Sequence, residues 1–156
     1  MTTVPKKILF VDDEEAIRQV MKMELVYLGY DPECVQNGKE ALEILAREKF
    51  PLILTDLRMP EIDGTELCMQ IKERHPETVI YAFSGHITED EFYKLEEMGF
   101  DGLLCKPVSL KVLKHAIEGA FDKINNRETL SPPLQSNKKT HLDKPYPVDS
   151  VSKEPP

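Results

Sequence analysis

The amino-acid sequence predicts an α/β protein: a doubly wound, five-stranded parallel sheet with helices on both faces. Between residues 7 and 123, short apolar runs alternate with longer stretches in which apolar side chains recur every three or four positions, the spacing of a helix face. The short runs are continuous rather than alternating, which is typical of strands that are buried on both sides. Regular alternation of strands and helices favours a parallel sheet joined by right-handed crossovers.

The first part of the chain supplies two strands and two helices. Residues 8–11 are an apolar run too short for a helix, and the helix that follows is expected to end at Gly29. The apolar face of this helix consists of Ile17, Val20, Met21, Leu25 and Leu28. Residues 33–36 are a weaker strand candidate. Asn37 is then placed to cap a second helix, whose apolar face consists of Ala41, Ile44 and Leu45.

The remaining elements continue the alternation. The third, fourth and fifth strands are predicted at residues 52–55, 78–83 and 102–105, with helices between them at 66–74 and 89–98. Gly99 is the expected end of the fourth helix. The clearest amphipathic helix comes last, and its apolar face consists of Leu113, Ala116, Ile117, Ala120, Phe121 and Ile124.

Charge and composition argue against several classes of function. A net charge of -8 repels phosphate backbones and argues against nonspecific binding of DNA or RNA. No apolar run approaches the roughly 18 residues that span a bilayer, and Asp12 and Asp13 end the first run too early for a signal peptide. Three widely spaced cysteines, Cys34, Cys68 and Cys105, predict neither a disulfide framework nor a zinc site. We therefore expect a cytoplasmic protein that binds no nucleic acid and inserts into no membrane.

The composition changes at residue 125. Six of the twelve prolines lie between Pro132 and Pro156, among serine, threonine, asparagine and lysine and with few large apolar side chains. Such a segment buries too little surface to offset the entropy lost on ordering it. We therefore predict a folded domain at residues 1–124 and a disordered, Pro-rich tail at residues 125–156, with no second folded domain in that tail.

Reactive side chains stand at the predicted carboxyl ends of the strands, where open parallel sheets bind ligands. Asp12 and Asp13 follow the first strand, Asp56 the third, Ser84 the fourth and Lys106 the fifth. Three clustered carboxylates repel one another, and Mg²⁺, which prefers oxygen ligands, relieves that repulsion. An aspartate can attack phosphorus while a metal ion, an ammonium and a hydroxyl position and neutralise the transferred group. The set therefore predicts a phosphoryl acceptor.

The sequence resembles the receiver domain of two-component response regulators. Four motifs carry the resemblance, in order and at matching spacing across the predicted domain: residues 8–14 (ILFVDDE), residues 54–64 (LTDLRMPEIDG), Ser84-Gly85 and Lys106-Pro107. The resemblance implies a flavodoxin-like (βα)5 fold with strand order 2-1-3-4-5. It also implies phosphorylation by a histidine kinase or a histidine phosphotransfer protein, followed by contact with an effector protein that the sequence does not identify.

The resemblance implies a role for each residue of the metal and phosphoryl site. Asp56 aligns with the phosphoacceptor, and Asp13 and Asp56 would bind Mg²⁺, or Mn²⁺ in its place, through their side chains. Asp12 would act mainly through a bound water, and the backbone carbonyl of Arg58 would be a further ligand. The family lysine that holds the phosphoryl group is Lys106.

Three further positions concern switching and lifetime. Ser84 aligns with the switch hydroxyl. Leu103 stands three residues before Lys106, where the family usually has a tyrosine or phenylalanine whose ring moves on phosphorylation, and we therefore expect a smaller conformational change at this face. Arg58 and His86 occupy variable positions expected to tune the lifetime of the phosphoryl group, although His86 is equally well explained as an exposed loop residue.

Two other functions compete with the phosphorylatable switch. The first is a receiver-like interaction module that works without phosphorylation, which Leu103 slightly favours and the complete acidic set opposes. The second is a phosphohydrolase that uses Asp56, but such enzymes carry a second acid where this chain has Arg58. An enzyme with a separate substrate is therefore not expected. Asp12 and Asp13 alone would suit a helix cap, but together with Asp56 and Lys106 they favour the phosphoryl site.

Overall fold

A computed structural model describes residues 4–129 of the chain. Its strands are β1 (Lys7–Val11), β2 (Asp31–Val35), β3 (Leu52–Asp56), β4 (Val79–Ser84) and β5 (Gly102–Cys105). Its helices are α1 (Glu15–Tyr27), α2 (Gly38–Leu45), α3 (Gly64–Arg74), α4 (Glu89–Met98) and α5 (Leu110–Thr129). The strands are parallel and lie in the order β2-β1-β3-β4-β5. The predicted doubly wound α/β fold and its strand order are confirmed.

Each face of the sheet carries its own hydrophobic core, which explains the continuous apolar runs. Alternate residues of one strand point to opposite sides, so that Leu9 and Ile53 pack with α2, α3 and α4. Their neighbours Phe10 and Leu54 pack with α1 and α5 on the other side. All four side chains are fully buried. The central strands therefore have no solvent-facing side, and their carboxyl ends are held in a rigid frame.

Helix ends follow the signals in the sequence. Asn37 caps α2, and its side chain accepts a hydrogen bond from the backbone N–H of Glu40 at 2.8 Å. Gly29 and Gly99 follow α1 and α4 with φ angles of 97° and 115°, in the left-handed region that glycine tolerates. These three residues end or begin helices as predicted.

The second strand lies earlier than the sequence suggested. It covers Asp31–Val35 rather than residues 33–36, and Pro32 stands opposite Ile8 of β1. β2 is an edge strand, so its outer side needs no backbone partner and tolerates a proline. Its exposed charged residues, Asp31 and Glu33, hide the apolar run that marks the central strands.

The last helix passes the predicted domain boundary at residue 124. α5 continues to Thr129, so residues 125–129 are helical rather than disordered. This extra length is held by the body of the domain, since Arg127 donates hydrogen bonds to the Glu77 backbone carbonyl and to the Asp101 carboxylate, both at 3.2 Å. The rest of the predicted tail lies outside the described residues. Within residues 4–129, no helix has the length and apolar character needed to cross a membrane.

Candidate functional site

Three aspartates meet at the carboxyl edge of the sheet. Asp12 and Asp13 follow β1, and Asp56 is the last residue of β3, its immediate neighbour. One carboxylate oxygen from each of the three residues lies within 4.8 Å of the others. Asp12 is fully buried and Asp56 is buried, whereas Asp13 is exposed. The cluster is therefore open to solvent mainly at Asp13.

Asp12 is fixed by bonds to both of its carboxylate oxygens. Oδ1 accepts a hydrogen bond from the backbone N–H of Glu14 at 2.9 Å, and Oδ2 lies 3.2 Å from Lys106 Nζ. Glu14 is the residue before α1, and its side chain makes no capping bond. Asp12 thus holds the turn that leads into the helix while it lines the acidic cluster.

Lys106 follows the edge strand β5 and connects this strand to the aspartates. Its ammonium lies 3.2 Å from Asp12 and 3.6 Å from Asp56 Oδ1, and 5.1 Å from the centre of the Phe83 ring. The backbone N–H of Lys106 donates to the carbonyl of Ser84 at 2.8 Å, which joins the end of β5 to the end of β4. The peptide bond between Lys106 and Pro107 is cis.

The cluster has an excess of negative charge, which suits a divalent cation. The pKa of Asp56 is raised, first by burial and then by the charge of Asp12, with a smaller contribution from Asp13; Lys106 and the backbone N–H of Arg58 oppose the shift. Three carboxylates and one ammonium carry a formal charge of about -2 when all are ionised. Oxygen ligands on rigid strand ends, with one side open to water, fit Mg²⁺, which binds through one or two carboxylates and retains waters.

The loop after β3 is packed tightly against Asp56. Gly64 begins α3, and its N–H donates to the carbonyl of Leu57 at 2.9 Å. A Cβ atom at position 64 would collide with the backbone carbonyl oxygen of Asp56. Asp63 caps α3 by accepting from the backbone N–H of Glu66 at 3.0 Å. This cap was not predicted, although the acidic residue three positions before Glu66 is a signal that could have identified it.

The remaining predicted residues differ in how they relate to the cluster. Ser84 is buried at the end of β4. Arg58 and His86 are exposed, two residues after Asp56 and Ser84 respectively, and the backbone N–H of Arg58 approaches Asp56 Oδ1 at 3.4 Å. Leu103 is buried within β5 opposite Ala82, in the core shared with α3 and α4. It belongs to the packing of the sheet rather than to the acidic cluster.

One contact of the site was missed by sequence reasoning. The guanidinium of Arg18, on α1, donates from Nη1 to the backbone carbonyl of Asp12 at 2.8 Å. The sequence does not indicate that an arginine side chain on a polar helix face turns back toward the preceding strand. Its relation to the aspartates depends on the path of the chain between β1 and α1.

Comparison with protein families places most of the chain in one domain. Residues 8–118 match the family model of the response regulator receiver domain. The match begins at the second residue of β1 and ends within α5. It therefore covers the whole acidic cluster and all five strands except the first residue of β1.

Curated relatives include regulators and a sensor kinase. The chain is 34% identical over 131 residues to the response regulator protein PilR of Pseudomonas aeruginosa, which covers 84% of this chain and 29% of PilR. It is 32% identical over 110 residues to the response regulator MprA of Mycolicibacterium vanbaalenii, covering 70% of this chain and 48% of MprA. It is 35% identical over 116 residues to the autoinducer 1 sensor kinase/phosphatase LuxN of Vibrio campbellii, covering 74% of this chain and 14% of LuxN. The chain thus spans less than half the length of each relative.

Solved structures of similar sequence have the same fold. A response regulator receiver domain protein from Clostridium thermocellum is 29% identical, with a TM-score of 0.72 over 80% of this chain and 98% of that chain. A CheY-like receiver domain protein from Methanospirillum hungatei is 28% identical, with a TM-score of 0.74 over 80% of this chain and 99% of that chain. Family model, relatives and fold agree: the chain belongs to the response regulator receiver domain family.

Proposed function

We propose that this chain is a phosphorylation switch that accepts a phosphoryl group on Asp56 in the presence of Mg²⁺. The observation that carries the proposal is the meeting of Asp12, Asp13 and Asp56 within 4.8 Å, with the Lys106 ammonium beside them. A histidine kinase or a histidine phosphotransfer protein donates the group. The phosphorylated chain then acts on an effector protein or passes the group on. We propose that this takes place in the cytoplasm.

Each residue of the site has a separate role in the transfer of the phosphoryl group. A carboxylate oxygen of Asp56 attacks the phosphorus of a phosphohistidine; the new P–O bond forms as the P–N bond breaks, and the released imidazole takes a proton from water. Mg²⁺ would be held by the side chains of Asp13 and Asp56, by Asp12 through a bound water and by the backbone carbonyl of Arg58. It would supply positive charge that neutralises the phosphoryl oxygens.

Lys106 and Ser84 act on the product. The ammonium of Lys106 already lies 3.6 Å from Asp56 Oδ1, so that a phosphoryl oxygen on Asp56 comes within its reach. The Ser84 hydroxyl donates to a second phosphoryl oxygen. Arg58 and His86, both exposed, influence the approach of the water that hydrolyses the acyl phosphate. Slow hydrolysis of its own phosphoryl group is the only turnover we propose.

A second candidate function is an interaction module that works without phosphorylation. The observation in its favour is Leu103, a buried leucine where the family usually has an aromatic switch residue. The chain nevertheless has all four charged residues of the proposed phosphoryl site, which favours the phosphorylation switch. They are Asp12, Asp13, Asp56 and Lys106.

The deciding experiment is incubation of the full chain with acetyl phosphate, and separately with beryllofluoride, with and without Mg²⁺. We expect a gain of one phosphoryl group by intact mass, and a beryllofluoride adduct by ¹⁹F NMR, only when Mg²⁺ is present. Asp56→Asn should abolish both. Asp122→Asn, the same substitution at an exposed position of α5, should change neither. A folded wild-type chain that forms no adduct would favour the interaction module.

A further inference from the structure

Arg18 bonds to the peptide group that joins the two acidic residues after β1. The carbonyl it reaches, at 2.8 Å from Nη1, is that of Asp12 and therefore belongs to the Asp12–Asp13 peptide bond. A fixed carbonyl fixes the plane of that peptide. The orientation of the plane determines the direction in which the chain enters Asp13.

The two aspartates differ in how they are held. The N–H of Asp12 donates to the carbonyl of Val35 at 3.2 Å, its carbonyl accepts from Arg18, and its two carboxylate oxygens accept from Glu14 and Lys106. Asp13 is exposed, and within residues 4–129 no hydrogen bond or ion pair of its carboxylate is found. The placement of the Asp13 carboxylate therefore depends on its backbone.

We infer that Arg18 is a positioning residue for the Mg²⁺ site, acting through the Asp12–Asp13 peptide rather than through its charge. This inference rests on the proposed function, because it assumes that Asp13 binds Mg²⁺. As a cation near a cation site, Arg18 repels Mg²⁺. Its geometric effect, which holds the Asp13 backbone in place, opposes that repulsion. The two effects have opposite signs, so a substitution separates them.

The test compares Arg18→Met with Lys22→Met in the full chain, with Mg²⁺ affinity measured by calorimetric titration. Lys22 lies one turn further along α1 and is exposed, so that each variant removes one positive charge and keeps an unbranched stem. Lys22→Met should bind Mg²⁺ as tightly as wild type or slightly more tightly. Arg18→Met should bind it about tenfold more weakly, as is usual when a residue that orients a metal ligand is lost. Arg18→Lys, which retains a donor without the guanidinium geometry, should fall between Arg18→Met and wild type.

A second readout is independent of metal. In Mg²⁺-free protein, hydrogen exchange of the Asp13 and Glu14 amides should be faster in Arg18→Met than in Lys22→Met, at matched unfolding midpoints. Unchanged or tighter Mg²⁺ binding by Arg18→Met would overturn the inference and leave the proposed function intact. No Mg²⁺ binding by the wild-type chain would overturn both.

Discussion

Gly64 lies where a single added carbon would press on the backbone of Asp56, the proposed phosphoacceptor. A Cβ atom there would overlap the Asp56 carbonyl oxygen and lie 2.8 Å from Leu57 Cα. Backbone atoms at the end of β3 cannot move aside as a flexible side chain would. We expect Gly64→Ala to lower the free energy of unfolding by about 1–3 kcal/mol, the usual cost of overpacking, and to reduce the yield of the beryllofluoride adduct.

A glycine elsewhere in the chain provides the control for this prediction. Gly119 lies in the interior of α5, exposed, with nothing within 4 Å of a Cβ atom. Gly119→Ala should raise the free energy of unfolding by about 0.5–1 kcal/mol, because alanine is the better helix former. Urea unfolding of both variants measures the two effects. Equal stability of Gly64→Ala and wild type would mean that the loop relaxes without disturbing Asp56.

The sequence predicted the positions of side chains that stand at the ends of strands. It did not predict the contacts of side chains whose positions depend on short loops. Asp56 and Lys106 could be assigned to one edge because parallel strands all end there. The bond from Arg18 to Asp12 depends on how a short loop turns. Spacing along the sequence describes a face of a helix, but not the direction in which the first turn of that helix approaches its neighbour.

At the scale of elements, β5 carries Leu103, the residue at which we expect the readout of the proposed switch to differ. Leu103 is buried opposite Ala82, and a leucine in a close-packed core has no polar tip to draw it toward solvent. We expect beryllofluoride to shift the amide resonances of the loops after β3 and β4, and to shift those of β5 and the start of α5 much less. ¹H–¹⁵N spectra with and without the adduct test this. Shifts of equal size along β5 would contradict it.

Asp101 holds three elements together at the opposite edge of the sheet. Its Oδ2 accepts from the Ile80 N–H at 2.9 Å and from Lys72 Nζ at 3.0 Å, while Oδ1 accepts from Arg127 on α5. Asp101→Ala leaves a backbone donor in β4 without its partner, and we expect a loss of about 1–3 kcal/mol in the free energy of unfolding.

An exposed ion pair provides the comparison for Asp101. Glu118 pairs with Lys114 one turn away on α5, and both side chains are more than half exposed. Glu118→Ala should therefore lower the free energy of unfolding much less than Asp101→Ala does. Denaturant unfolding distinguishes the two. Similar losses for both variants would mean that Asp101 contributes no more than a surface charge.

Element boundaries were predicted correctly where the sequence changes abruptly from polar to apolar residues. α4 and β5 have the predicted bounds, residues 89–98 and 102–105, because Gly99 separates them and the apolar run of β5 is compact. β2 was misplaced because its exposed charged residues, Asp31 and Glu33, remove that contrast. The end of α5 was missed because Arg127 extends the helix through contacts with Glu77 and Asp101, which are distant in sequence.

For the whole molecule, the accessibility of Cys68 reports on the integrity of the domain. Cys68 lies on the buried face of α3 and is fully buried, and burial raises the pKa of its thiol from 9.0 to about 12. Cys34 and Cys105 are only half-buried. At pH 8 we expect an alkylating reagent to modify Cys34 and Cys105 first. Cys68 should react only through global unfolding, slower by a factor on the order of 10³ or more.

The sign of the alkaline effect follows from the same thiol. Because the folded state raises the pKa of Cys68 above its unfolded value, the neutral thiol contributes stability that is intact below pH 9 and is lost as pH rises toward about 12.

Mass spectrometry after timed alkylation identifies the modified cysteine. Modification of Cys68 at the rate of Cys105 would mean that α3 opens locally, without unfolding of the sheet.

The ion pair between Lys106 and Asp12 also determines when the acidic cluster can be completed during synthesis. These residues are 94 positions apart, and chains emerge from the ribosome amino end first. A nascent chain that has released β1, β3 and β4 contains all three aspartates, but the lysine that offsets one of their charges has yet to emerge. Translation of β5 therefore precedes any complete site, and a chain stalled before Lys106 carries the three carboxylates without the ammonium that pairs with Asp12.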